Sequence, residues 1–242
     1  MARIKIINPN TTAAFSAACL AAGRAVAAAG TEVLVGQPTS GTPSVDCHVE
    51  EAIATLGVVA AVRAGEREGI EGYVIACFGD TGLEAAREVA SGPVVGMTEA
   101  ALYAAALIAP VFSIVTLPPR TRVFAERVLW HAGLERRCPK VRAIDVTVLD
   151  CDDEASVVME PFIAEARRAI LEDHAEAIIL GCAGLQHLVE PLSLTLGVPV
   201  IEGVAAAVKL VEALLAMRLA TSKRGAWGYP PQAGGGRSGG LR

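Results

Sequence analysis

Lysine is scarce in this chain. Lys5, Lys140, Lys209 and Lys223 are all it has, and none ends an apolar run where a Schiff-base lysine would sit. No G-x-G-x-x-G follows a strand-like run, which excludes a dinucleotide fingerprint; the match at Gly234–Gly239 lies in a low-complexity tail. A phosphate-binding G-x-x-x-x-G-K-[ST] is missing, and so is the G-x-S-x-G of a serine-hydrolase elbow. His48, His131, His174 and His187 show no paired ligand spacing and there is no C-x-x-C, so no metal site and no thioredoxin-type centre is expected. No apolar run reaches the ~20 residues that span a bilayer, and the opening MARIKIINPN is too short for a signal peptide. With 21 Lys+Arg against 26 Asp+Glu, net charge −5, and no basic stripe, nucleic acid is not the expected partner. The chemistry left over needs no cofactor.

What the 242 residues do contain is 52% apolar and 19% charged, a composition that folds and buries a core without staples. The six cysteines (Cys19, Cys47, Cys77, Cys138, Cys151 and Cys182) read as reduced thiols in the cytoplasm rather than as bridges.

Short β-rich runs cover Arg3–Asn8, Glu32–Val35, Gly72–Cys77, Pro93–Val95, Phe112–Leu117, Val141–Val148, Ala177–Gly181 and Pro199–Ile201. Ala-rich stretches at helical spacing lie between them: Thr12–Ala29, Glu50–Glu68, Glu99–Ala109, Ser156–Glu172 and Gly203–Leu219. Alternation of this kind predicts an α/β fold with mainly parallel sheets flanked by helices. An internal repeat divides it. Ile6-Ile7-Asn8-Pro9-Asn10-Thr11-Thr12 corresponds to Ile114-Val115-Thr116-Leu117-Pro118-Pro119-Arg120-Thr121, each a strand stopping at a Pro-containing turn with hydroxyls ready to cap a helix. Val74-Ile75-Ala76-Cys77-Phe78-Gly79 corresponds to Ile179-Leu180-Gly181-Cys182-Ala183-Gly184. The expected architecture is two pseudo-symmetric α/β subdomains with the active site in the cleft between them.

Cys77 and Cys182 each end a strand at repeat-related positions, and ligands of open α/β sheets bind beyond the carboxyl ends of strands. Facing halves would bring the two thiols to one cleft. Gly79 and Gly184 would let backbone N–H groups approach a ligand, and the following helix N-termini would lower the thiol pKa. Two opposed thiols suit racemisation next to a carbonyl: one removes the proton from one face and the other returns a proton to the opposite face. The enolate between these steps needs donors, which the loops at Asn8–Thr12 and Gly79–Gly82 are placed to offer. Each thiol also has a plainer reading as a small core hydrophobe, the reading kept for Cys19, Cys47, Cys138 and Cys151. Asn10, Thr11, Thr12 and Asp80 read as caps or ligand contacts, Thr116 as a second-half partner of Asn8, Glu99 as a first-turn charge. Arg120 and Arg122 read as solvated helix-start charges.

On Ile7-Asn8-Pro9-Asn10-Thr11-Thr12, Cys77-Phe78-Gly79-Asp80 and Gly181-Cys182-Ala183-Gly184, the chain resembles the aspartate/glutamate racemase superfamily, and in it the hydantoin racemase branch that includes allantoin racemase. The resemblance spans about residues 1–220. It implies an isomerase, a cofactor-independent racemase of 5-substituted hydantoins. Cys77 and Cys182 would be its acid/base thiols. Asn8, Pro9, Asn10, Thr11, Thr12, Phe78, Gly79, Asp80, Thr116, Ala183 and Gly184 would border a cyclic ureide. It also implies a homo-oligomer and a C-terminal helix that crosses back, so that residues 1–98 with 205–220 form one subdomain and 99–204 the other. Residues 221–242 would be a partly disordered tail. Many relatives carry Asp-Pro after Cys-Phe-x, whereas here Asp80 is followed by Thr81-Gly82, which leaves substrate choice open. Amino-acid racemases, maleate-type isomerases and decarboxylases of the superfamily are the alternatives, and a two-lobed binding protein without catalysis is another.

Overall fold

The computed structural model describes residues 2–149, 155–183 and 185–231. The first half runs β1 (Arg3–Ile7), α1 (Ala13–Val26), β2 (Glu32–Gly36), α2 (His48–Glu68), β3 (Gly72–Ile75), α3 (Leu83–Val89) and β4 (Val94–Gly96). The chain continues through α4 (Met97–Ile108), β5 (Phe112–Thr116), α5 (Arg122–His131), β6 (Val141–Ala143) and α6 (Ala155–Glu172). It closes with β7 (Ala177–Gly181), α7 (Val189–Leu196), β8 (Val200–Ile201) and α8 (Gly203–Ala216).

Two four-stranded sheets result, in the orders β2-β1-β3-β4 and β6-β5-β7-β8, parallel throughout. The sequence repeat is therefore a repeat of topology. Every residue of β3 and of β7 is buried, as strands covered by helices on both faces require. In each sheet the chain winds away in both directions from a central pair, β1 with β3 and β5 with β7. The crevice at that switch point is where such sheets bind ligands.

The halves join through helices. Glu202 caps α8, accepting from the backbone N–H groups of Val204 and Ala205 at 2.9 Å each. From there α8 sends Val204, Ala207, Val208 and Val211 into one cluster with Ile4, Ile6, Val74 and Val95 of the first sheet. The start of α8 lies against the start of α4 so closely that a Cβ on Gly203 would fall 2.4 Å from the Met97 carbonyl oxygen.

Two expectations need correction or completion. The run Val141–Val148 is not one strand: β6 stops at Ala143. It is an edge strand, and after the Ile144 N–H donates to Thr116 O the chain leaves the sheet, turning Val146 and Val148 inward on the α6 side. The segment after α8 packs as far as Pro231 is described. Trp227 bonds Glu84, Lys223 donates to the carbonyls of Arg87 and Glu88, and Arg87 lies over the Trp227 ring at 4.9 Å. The disorder expected further on falls on 232–242, outside the described residues. Among the described residues no helix is long and apolar enough to cross a membrane.

Gly203→Ala drives a methyl into the Met97 carbonyl where α8 meets α4. It should lower the unfolding free energy by about 1–3 kcal/mol, read as a lower urea midpoint at unchanged slope.

Candidate active site

Where the central strands of both sheets end, the chain encloses a cavity of about 50 Å³. Asn8, Cys77 and Phe78 line it from the first half, and Thr116, Cys182 and Ala183 from the second. Asn10, Phe15, Val45, Leu117, Thr121 and Val148 complete most of the wall, and among the described residues none that lines it is charged. The two repeat-related cysteines thus share one small chamber at the meeting of two switch points.

Cys77 is half-buried, and its sulfur lies 3.3 Å from the Thr81 hydroxyl. Burial pushes its thiol up to about 12, and the carboxylates of Asp80 and Glu51 add to the effect, against the hydrogen bond from Thr81. This reverses the expectation of a lowered pKa. The helix after Cys77 starts only at Leu83, beyond a turn in which the N–H of Asp80 bonds Cys77 O and that of Leu83 bonds Asp80 O. Cys182 is 6% exposed and packs with Leu180, Leu185 and Leu188 in the core of the second half.

Residues 4–211 match the family described as Asp/Glu/Hydantoin racemase. The hydantoin racemase of Rhizobium meliloti is 44% identical over 227 residues, 94% of each chain. The chain belongs to the Asp/Glu/Hydantoin racemase family. The hydantoin racemase of Pseudomonas sp. (strain NS671) is 39% identical over 228 residues, covering 94% of this chain and 92% of that one. The structure of allantoin racemase from Klebsiella pneumoniae superimposes with a TM-score of 0.93 at 46% identity, over 98% of this chain and 97% of that one.

In this member of the family, the loop after β1 is a polar knot. The Asn8 carboxamide nitrogen donates to Asn10 Oδ1 (3.0 Å), Ser16 Oγ (3.0 Å) and Thr12 O (3.2 Å), so its donors are spent inside the protein. Asn10 Oδ1 also accepts from the Thr12 N–H at 2.9 Å, which leaves the Asn10 amide nitrogen as the donor that side chain can offer. Pro9, Thr11 and Thr12 do not line the cavity. Thr12 stands at the N-cap of α1 without a side-chain cap bond, because its hydroxyl donates to Pro43 O, while that of Thr11 donates to Thr42 O. Both hydroxyls tie the loop down instead of capping the helix.

Gly79 and Asp80 also stand behind the chamber wall. The Gly79 N–H donates to Thr98 Oγ1 at 2.7 Å, and Asp80 accepts from the N–H groups of Thr98 (2.8 Å) and Glu99 (3.0 Å). Asp80 therefore caps α4, not the helix after Cys77, and binds the cysteine loop to the helix junction. Its φ is 54°, and a Cβ on Gly96 would fall 2.2 Å from its carboxyl carbon. Thr116 does face the chamber, donating to Gly181 O at 2.8 Å. Gly184 and Cys151 lie outside the described residues.

Cys19 and Cys138 are buried in the core. Glu99 pairs with Arg87 and accepts from the Gly96 N–H at 3.1 Å. Arg122 donates to Pro119 O, and neither it nor Arg120 lines the chamber. Among the described residues no group of three or more His, Cys, Asp or Glu could hold a metal ion.

The reading of the sequence missed Thr81, Thr121, Phe15, Val45 and Val148. Thr81 follows Cys77 by four positions, and Thr121 ends the turn that repeats Asn8–Thr12, so both carried a signal. The three apolar residues carried none.

Removing the hydroxyl beside the sulfur in Thr81→Val should slow alkylation of Cys77 by iodoacetamide on the order of tenfold at fixed pH, read by peptide mass spectrometry. Asp80 is raised to about 7 by burial first and Glu99 second. An unfolded Asp ionises near ~4. The Asp80 contribution to stability is thus full below ~4 and is lost as pH rises to about 7. Asp80→Asn should flatten that part of the slope, gaining on the parent protein across the window in urea titrations.

Proposed function

We propose that this chain racemises 5-substituted hydantoins, with allantoin in the same class, by proton transfer between Cys77 and Cys182 and without a cofactor. The observation that carries the reading is the shared chamber: both cysteines line one cavity between the two sheets. A planar ring between them presents C5 to one thiol on each face. A thiolate on one side takes the C5 proton, the ring becomes an enolate, and the thiol on the other side delivers its own proton to C5. The catalytic pair ends with its single proton on the opposite sulfur, and proton exchange with water restores the starting state. Cys77, whose thiol form burial favours, is the donor for the enantiomer whose C5 proton faces Cys182.

The lining also supports a class of substrate. A free amino acid carries an α-carboxylate, and among the described residues no cation lines the chamber to receive one, so placing it there costs several kcal/mol. A cyclic ureide is neutral, and its C5 proton, beside a ring carbonyl, is more acidic than that of a free amino acid. Asn10 is the donor suited to the ring oxygen on which negative charge develops. At about 50 Å³ the chamber holds one or two waters, so a substituted ring needs its wall to widen. A reducing compartment such as the cytoplasm suits such a thiol pair. A homo-oligomer would cover exposed apolar side chains such as Leu107 and Trp130.

Cys77→Ser and Cys182→Ser should each abolish loss of optical rotation from a single enantiomer of a 5-alkyl hydantoin. In deuterated water each should still exchange the C5 proton of one enantiomer, a different one in each variant. Exchange of both enantiomers by either variant would contradict the two-thiol assignment.

A further inference from the structure

The Cys77 loop belongs to the first half, but part of its support comes from the second. Helix α5 lays Phe124 and Arg127, one turn apart, over Gly79. Gly79 has φ +107°, and a Cβ there would fall 2.6 Å from the Phe124 Cβ. Arg127 donates through Nη2 to the Gly79 carbonyl at 3.2 Å. The same guanidinium pairs with Glu51 of α2, through Nη2 to Oε1 and through Nη1 to Oε2 at 3.2 Å. It lies 5.6 Å over the Phe124 ring, against which His48 packs edge-on at 4.9 Å. One cation thus joins α2, α5 and the carbonyl two residues after Cys77.

The groups facing Cys77 are of mixed sign. Asp80 of its own loop and Glu51 of α2 both oppose a thiolate, and the Thr81 hydroxyl supports one. Arg127 of α5 interacts with Cys77 and Asp80 as well as Glu51, and the Cys19 thiol of α1 lies within electrostatic reach. Arg127 is the cation in this set. Its bond with Glu51 turns one of the two opposing carboxylates into half of an ion pair, and burial does not keep Glu51 from holding its charge: its carboxyl stays below the usual range.

We propose that Arg127 is a positioning residue for Cys77: from across the junction of the halves it fixes the carbonyl behind the cysteine and sets a positive charge against Glu51 and Asp80. This rests on the reading of Cys77 as one of the two acid/base thiols. Arg127 does not line the chamber, so it acts through the loop and through its field. The arrangement also ties the charge balance at Cys77 to contact between the halves, because the clasp exists only while α5 sits on the loop.

The test uses the full chain and reads the two thiols separately, by the rate of iodoacetamide alkylation from pH 7 to 10 with peptide mass spectrometry. Arg127→Met should slow Cys77 on the order of tenfold at a given pH and leave Cys182 within about twofold. Arg127→Lys, which keeps the charge, should recover most of the rate. Glu51→Gln breaks the same clasp but should act with the opposite sign and speed Cys77; mere loosening would move the rate the same way in both variants, and Arg127→Lys, which should stay near the parent rate, carries the test should Arg127→Met fail to fold. In turnover, Arg127→Met should lower kcat with KM little changed and move the pH profile upward. An unchanged Cys77 rate, a parallel change at Cys182, or slowing of Cys77 in Glu51→Gln would overturn the proposal. Alkylation needs no racemisation, so a failure of the two-thiol mechanism would show in the cysteine variants and leave this result readable.

Discussion

A parallel sheet delivers the carboxyl ends of all its strands to one edge, and this chain turns two such edges toward each other. Cys77 follows β3 and Cys182 follows β7, the central strands of sheets with the same winding, so the repeat that copies the fold also copies the thiol. The joint that holds the edges in place is tight. Gly203 admits the Met97 carbonyl, and a side chain there would push α8 off α4. Within the second sheet, Gly181 lies where a Cβ would meet the Thr116 backbone at 2.5 Å, so a side chain there would disturb the strand that carries Cys182.

Among the described residues the chamber's lining carries no charge, while charge stands behind it. Asp80, Glu51 and Arg127 all act on Cys77 from behind the wall, and Asn8 spends its donors on its own loop. A thiol in such a place resists ionisation, which is the cost of burial. The same burial makes a thiolate, once formed, a stronger base than an exposed one would be.

Much of the architecture was legible because it is local or repeated. Buried strands announce themselves as apolar runs, and the order Asn-Pro-Asn-Thr, Cys-Phe-Gly, Gly-Cys-Ala marks the two switch points. β6 was overextended because Val146 and Val148 continue a strand-like pattern, while an edge strand has no neighbour on its outer side to hold them in the sheet. The site was legible in part. Asn8, Asn10, Phe78, Thr116 and Ala183 reach the chamber along with both cysteines, whereas Thr11 and Thr12 are drawn away by carbonyls of residues 42 and 43. Asp80 turns toward α4, a helix distant in sequence, and Arg127 arrives from the other half. Contacts of that kind depend on how the halves dock, and no spacing in a single sequence encodes it.

The two-thiol account has a direct signature in the unaltered protein. One enantiomer of a 5-alkyl hydantoin is incubated in deuterated water, and deuterium at C5 is measured in both enantiomers from the earliest times. If separate sulfurs take and return the proton, the newly formed enantiomer carries solvent deuterium while the remaining starting enantiomer keeps its protium. Equal labelling of both from the outset, or inverted product that retains protium, would contradict it.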